Sequence, residues 1–179
     1  SIDFVAENKI LDFTVFKPTA LASSQILHKV SLKETLNESE EIQYDKVKER
    51  FNKICHLAYI KKVKILVDAE ESWIQDAIDQ LVLNMMIKYN KEEPIVYNTS
   101  QMYRHDRLNY LKNLYRISVD KKFYVGIKLV RGAYIEKESK RAKRNNYLSP
   151  ICDSKESTDE NFDNGANYIL SKLDRFSLF

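Results

Sequence analysis

Four short apolar runs punctuate the chain at near-even intervals, and each is followed by a stretch of helical spacing. Residues 13–17 (FTVFK) read as a short buried strand that stops at Pro18. Residues 63–67 (VKILV), 94–97 (PIVY) and 123–130 (FYVGIKLV) read as the second, third and fourth strands. Between them, residues 43–62 place Val47, Phe51, Ile54, Leu57 and Ala58 on one helical face. Residues 72–89 do the same with Trp73, Ala77, Ile78, Leu81, Met85 and Met86, and Ser72 is a candidate N-cap. Residues 101–117 are again helical, and a basic helix covers roughly Glu136 to Arg144. Ser157-Thr158-Asp159-Glu160 has the form of a capping box and predicts a helix running to about Leu173. The polar stretch Ser31–Glu41 reads as a loop, and Phe176–Phe179 as an apolar, strand-like tail.

Strands this short and apolar, alternating with helices, imply parallel strands covered on both faces. Asp68, Asn98 and Lys128 stand at or near three strand ends, spaced 30 residues apart. So regular a βα repeat fits a (β/α)₈ barrel better than a doubly wound sheet, and the C-terminal strand ends are where a barrel keeps its chemistry. A whole barrel needs eight strands and about 250 residues. Residues 1–179 supply four strands and the start of a fifth, so the expected α/β domain is a single, partial barrel of four to five βα units. Its two open edges and uncovered interior predict a need for cover, by self-association or by a remaining half.

Composition narrows the function classes. Hydrophobic residues are 44% and charged residues 31%, a globular balance, and the net charge of +3 demands neither nucleic acid nor an anionic surface as partner. The run Lys137–Arg144 is interleaved with Glu136 and Glu138 and lacks an aromatic platform, so it reads as a solvated helix face. Only 3 glycines are present, which excludes a Gly-rich phosphate loop. Cys55 and Cys152 form no framework, as in a reducing compartment, and His28, His56 and His105 make no metal-ligand spacing. No apolar run approaches a membrane span, and Ser1-Ile2-Asp3-Phe4 has no signal-peptide pattern.

If the strands are adjacent, Lys17, Asp68, Asn98, Lys128 and Tyr134 converge on one mouth. A lysine there can hold an anionic group or stabilise negative charge on a reduced cofactor. An aspartate beside it can orient it and set its protonation. An amide such as Asn98 can face a heteroaromatic ring with donor and acceptor, and Tyr134 offers an aromatic wall with a polar tip. The same residues could equally be caps or solvated strand ends.

Three segments, ILVDAEES (65–72), VYNTSQMY (96–103) and KLVRGAY (128–134), together resemble the proline dehydrogenases, in the family's order, with LVRGAY the most specific. The likeness spans residues 14–179 and is weakest through 31–50. It implies a (β/α)₈ barrel with FAD at its mouth, and oxidation of L-proline to Δ1-pyrroline-5-carboxylate by hydride transfer to flavin, with a quinone as electron acceptor. It also implies a cytoplasmic enzyme, or one peripheral at an inner membrane, the mitochondrial one in a eukaryote.

By the same resemblance Lys17 faces the proline carboxylate, Asp68 organises that lysine, and Tyr134 walls the proline ring. Lys128 takes the place of a basic residue, often Arg, near flavin N5; as a lysine it brings a compact charge rather than a fork. Asn98, with Gln101 close by, falls where some members have a Gln near the flavin pyrimidine. Ala69, Val130, Arg131, Gly132 and Ala133 fall among the flavin contacts, and Gly132 allows close approach. Lys155 and Thr158 fall at the FAD diphosphate, with Thr158 at a helix start suited to anions. The family's arginine pair for the proline carboxylate, and its threonine–histidine contact after the fifth strand, have no counterpart in this sequence. Two other readings stay open: a non-catalytic half-barrel used for assembly, and a lyase barrel with a Schiff-base lysine, against which the Asp-Ala-Glu and LVRGAY segments argue.

Overall fold

The computed structural model describes residues 2–8 and 12–179. A first helix, α1 (Ile2–Glu7), leads into β1 (Phe13–Phe16), a 3₁₀ turn at Pro18–Ala20, and helices α2 (Ser24–Ser31) and α3 (Glu38–Lys61). The chain then alternates: β2 (Lys64–Val67), α4 (Ser72–Tyr89), β3 (Val96–Gln101), α5 (Arg107–Lys121), β4 (Val125–Val130), α6 (Ile135–Asn145), α7 (Lys155–Leu170) and β5 (Phe176–Leu178). The five strands form one parallel sheet in sequence order. Sequential order and parallel pairing are the arrangement of consecutive βα units in a barrel, here left open between β1 and β5.

Burial explains most elements. Val47, Phe51, Cys55 and Ala58 form the buried stripe of α3; Leu57, expected on that face, is exposed and Cys55 takes its place. Burial pushes the Cys55 thiol up to about 12, so it behaves as an inert apolar group. Helix α3 also begins earlier than its apolar pattern implies. Asn37 and Glu40 form a reciprocal capping box, which turns the end of the presumed loop 31–41 into helix. Helix α2, capped by Ser23, is an additional element between β1 and α3.

Two other expected caps move. Ser72 is the first helical residue of α4; Glu71 is the N-cap and makes no side-chain cap bond. Helix α7 starts three residues before the expected box, because Ser154 caps the Ser157 amide. Thr158 therefore lies one turn inside the helix, and its hydroxyl donates to Ser154 O at 3.0 Å.

The two-residue strand period sorts side chains between the helix layer and the barrel interior. Phe13, Tyr97 and Phe179 meet on the interior side, with ring centroids 5.1 and 4.3 Å from Phe13. Tyr97 lies over Gly126, where any Cβ would come within 2.6 Å of the ring. Because the sheet is open, this face is partly bare: Val15 is 50% and Phe179 52% exposed.

Behind the sheet, α4 and α5 enclose a charge network. Arg107 donates to Asp79 at 2.7 Å and to both oxygens of Asp106, and Arg104 also grips Asp106 through two bonds. Burial alone would raise the Asp106 carboxyl, but Arg107 and Arg104 hold it well below the usual carboxylate range. A depressed folded-state pKa contributes stability that is present above the unfolded value, about 4, and is lost as pH falls below it. Thermal melts between pH 6 and pH 3 should therefore show a steeper acid loss for the native chain than for Asp106→Asn.

Candidate functional site

The C-terminal ends of β1 to β4 open onto a cleft of about 330 Å³ lined by Lys17, Asp68, Ala69, Thr99, Gln101, Lys128, Val130 and the Arg131–Tyr134 turn. Register explains who reaches it. Leu66 pairs with Tyr97, and Thr99 with Lys128. Asp68, two residues past Leu66, thus stands level with Thr99 rather than with Asn98.

Asp68 lies between two cations, with Lys17 Nζ and Lys128 Nζ each 3.9 Å from one of its oxygens. Lys17 Nζ also donates to the Tyr134 hydroxyl at 3.4 Å. Desolvation by itself would lower the Lys17 pKa, but Tyr134, Asp68 and Glu70 outweigh it and raise it above the ordinary value. Lys17 is therefore a fixed cation, suited to an anionic group and unsuited to act as a neutral amine nucleophile.

Neighbouring bonds hold this arrangement in place. Glu70 accepts from the Thr19 amide and hydroxyl, both at 3.0 Å, which ties the turn after Lys17 to the end of β2. Thr99 donates its hydroxyl to Val67 O at 2.9 Å. Gln101 donates to Glu70 O at 2.8 Å and accepts from the Ala133 amide at 3.1 Å, joining β2 to the turn after β4.

That turn depends on glycine. Gly132 has φ of +140°, and a Cβ there would come within 2.5 Å of the Tyr103 ring. Gly132→Ala should cost about 2–3 kcal/mol through backbone strain and the clash, read as a lower denaturant midpoint at unchanged slope.

Of the residues singled out in the sequence, Lys17, Ala69, Asp68, Lys128, Val130, Arg131, Gly132, Ala133 and Tyr134 line the cleft together. Asn98 does not. It is fully buried on the helix side, donating to Asp79 at 2.8 Å and to the Tyr110 hydroxyl at 3.0 Å. The even 30-residue spacing was off by one position at β3, and one position turns a strand side chain to the opposite face. Gln101 and Thr99 are the β3 residues at the mouth; strand parity counted back from Gln101 identifies both.

Lys155 and Thr158 stand apart from the cleft lining. Lys155 is exposed and pairs with Asp159 at 2.5 Å, and Arg131 pairs with the same carboxylate, so these two cations share one anchor beside the start of α7. Thr158 is buried with its hydroxyl proton committed to Ser154 O. Among the described residues no group of His, Cys, Asp and Glu could hold a metal ion, and no helix is long and apolar enough to cross a membrane.

The chain has relatives both in sequence and in shape. The chain is 33% identical over 178 residues to the carbapenem antibiotics biosynthesis protein CarD of Pectobacterium carotovorum, covering 99% of this chain and 46% of that protein. It is 40% identical over 132 residues to the mitochondrial proline dehydrogenase 1 of Dictyostelium discoideum, covering 71% of this chain and 23% of that one. The chain thus spans less than half the length of these curated relatives. Among solved structures it superposes on proline utilization A (PutA) from Corynebacterium freiburgense with a TM-score of 0.80 at 19% identity, over 98% of this chain and 18% of that chain. PutA from Bdellovibrio bacteriovorus gives 0.79 at 20% identity, over 92% of this chain and 16% of that chain. These superpositions identify the open sheet as part of a (β/α)₈-type barrel. The family model for proline dehydrogenase matches residues 4–179, nearly the whole length, and the chain belongs to the proline dehydrogenase family.

Proposed function

We propose that the cleft is the first half of a flavin-dependent site that oxidises L-proline to Δ1-pyrroline-5-carboxylate, with the electrons passed on to a quinone. The observation that carries this reading is Asp68 set between Lys17 and Lys128, 3.9 Å from each, beneath the Tyr134 turn. Lys17 and Lys128 both present ammonium groups to the cleft from either side of Asp68. Such groups suit both an amino-acid carboxylate and a flavin ring that gains negative charge on reduction.

Lys17, held as a cation, binds the proline carboxylate, and Asp68 fixes the position of its ammonium. Tyr134 closes one side against the proline ring. FAD fits the remaining wall: Lys128, Gln101 and the exposed backbone of Val130–Ala133 would hold its ring, and when bound it would accept the hydride from the carbon beside the proline nitrogen. Arg131 and Lys155, anchored on Asp159, would face its diphosphate. Thr158, whose hydroxyl proton is already committed, has only lone pairs to offer an anion and is the weakest of these contacts.

The bare interior face, with Val15 and Phe179 half exposed, supports a further segment or a second chain completing the barrel and supplying the remaining contacts to the carboxylate. The Dictyostelium relative is named as mitochondrial, and we extend from it a peripheral place at an inner membrane, the mitochondrial one in a eukaryote.

The test is a chromophore assay on the intact polypeptide that carries these residues. A co-purifying yellow flavin supports the reading. A colourless protein that stays colourless when reconstituted with FAD would favour the assembly module, and borohydride trapping of an amine adduct on a lysine would favour the lyase.

A further inference from the structure

Helix α6 does not simply continue the outer ring after β4. Its residues are tied back across the mouth to the start of α4. Glu138 is fully buried, and its two oxygens accept from the Ser72 amide and the Ser72 hydroxyl, each at 2.6 Å. The first amides of α4 have no cap of their own, since the Glu71 side chain makes no cap bond. The missing carboxylate at this helix N-terminus is supplied by another helix, where the macrodipole favours it.

The same seam carries a Lys137–Glu71 ion pair at 2.9 Å and Arg141 stacked 4.5 Å over Trp73. Arg141 also approaches His28 Nε2 at 3.0 Å, while His28 Nδ1 faces Trp73 O at 3.0 Å, so the ring carries its proton on Nδ1 and accepts from the arginine. Tyr134 is the N-cap residue of α6, and the Glu138 amide donates to its carbonyl at 2.9 Å. Glu138 thus sits one rigid turn from the tyrosine that meets Lys17.

We infer that Glu138 is a positioning residue: by capping α4 through Ser72 it latches α6 across the mouth and sets Tyr134 against Lys17, which fixes substrate binding rather than the chemical step. This rests on the proline-oxidising reading for its kinetic consequence, but the latch itself is legible without turnover. Trp73 is the one tryptophan of residues 1–179 and lies on the seam, so its emission, isolated as the difference from a Trp73→Phe background, reports whether α6 is docked.

The experiment compares Glu138→Ala, Glu138→Gln and native protein, each as the intact polypeptide. In Glu138→Ala, Trp73 emission should move to longer wavelength and the Ser72 amide should exchange at least tenfold faster, with far-ultraviolet dichroism unchanged. KM for L-proline should rise roughly tenfold while kcat changes less than about twofold, the pattern of lost substrate binding with the chemical step intact. Glu138→Gln keeps one acceptor but turns its amide group toward a donor, so it should fall between the two. Unchanged Trp73 emission and Ser72 exchange in Glu138→Ala would overturn the latch. An opened latch with unchanged KM would overturn its role toward substrate. Native protein that turns over no proline at all would instead count against the functional reading, and the two spectroscopic readouts would still decide the latch.

Discussion

Asp68→Ala should lower kcat/KM for L-proline by roughly 10² to 10³, about 2.7–4 kcal/mol of transition-state stabilisation, while leaving the melting temperature within a few degrees. The activity loss has two sources. Without the carboxylate, Lys17 loses one of the two partners that place its ammonium, the other being the Tyr134 hydroxyl at 3.4 Å. Lys17 and Lys128 then also face one another without an intervening negative charge, so the two ammonium groups repel at the mouth. The stability effect is small because Asp68 is partly solvated, with its side chain 28% exposed, and exposed ion pairs contribute little to folding. Asp68→Asn should recover part of the positioning and little of the charge. Turnover unchanged in both variants would make Asp68 structural only.

Arg107→Met should be the most destabilising single change, at about 3–5 kcal/mol. The guanidinium is buried, and its pKa reflects two opposing effects: desolvation would lower it, but Asp79 and Asp106 raise it above the ordinary value. Removing it leaves Asp79 facing only the amides of Gln75 and Asn98, at 2.8 Å each. It also removes the cation that sits 4.5 Å from the Tyr110 ring. Breaking such a pair from one side strands a buried charge, whereas removing both partners leaves only Asp106, which keeps its two bonds from Arg104. Asp79→Leu combined with Arg107→Met should therefore recover a large part of the loss. Urea midpoints of the single and double variants measure this directly, and additive losses would argue against coupling.

The fold was legible because each level of the sequence pointed the same way. The apolar runs ending near Lys17, Val67, Tyr97 and Val130 marked four strands, and their regular alternation with helices implied parallel neighbours. Boundaries were harder. Asn37 and Glu40 carried a readable capping box, but the polar stretch around them masked the helix they open. Helix α7 begins before its expected start: Ser157–Glu160 offers the same chemistry as the true cap at Ser154.

The site was legible wherever a residue sat unambiguously on strand parity. Asp68 and Lys128 followed from their strand ends, and the Arg131–Tyr134 turn from its motif. Asn98 failed for the reason that makes strands informative: a period of two converts a one-residue error of register into the wrong face. The Asp79–Arg107 network and the Glu138–Ser72 bond could not be read in advance. They join positions 28 and 66 residues apart through helix docking, which no local spacing records.

The most direct measurement is anaerobic titration of the flavin-loaded, intact polypeptide with L-proline, followed by flavin absorbance. Bleaching of the oxidised flavin by L-proline, much weaker with D-proline and largely lost in Asp68→Ala, is the expected result. A bound flavin that stays oxidised at saturating L-proline would contradict the assignment of this cleft to proline oxidation.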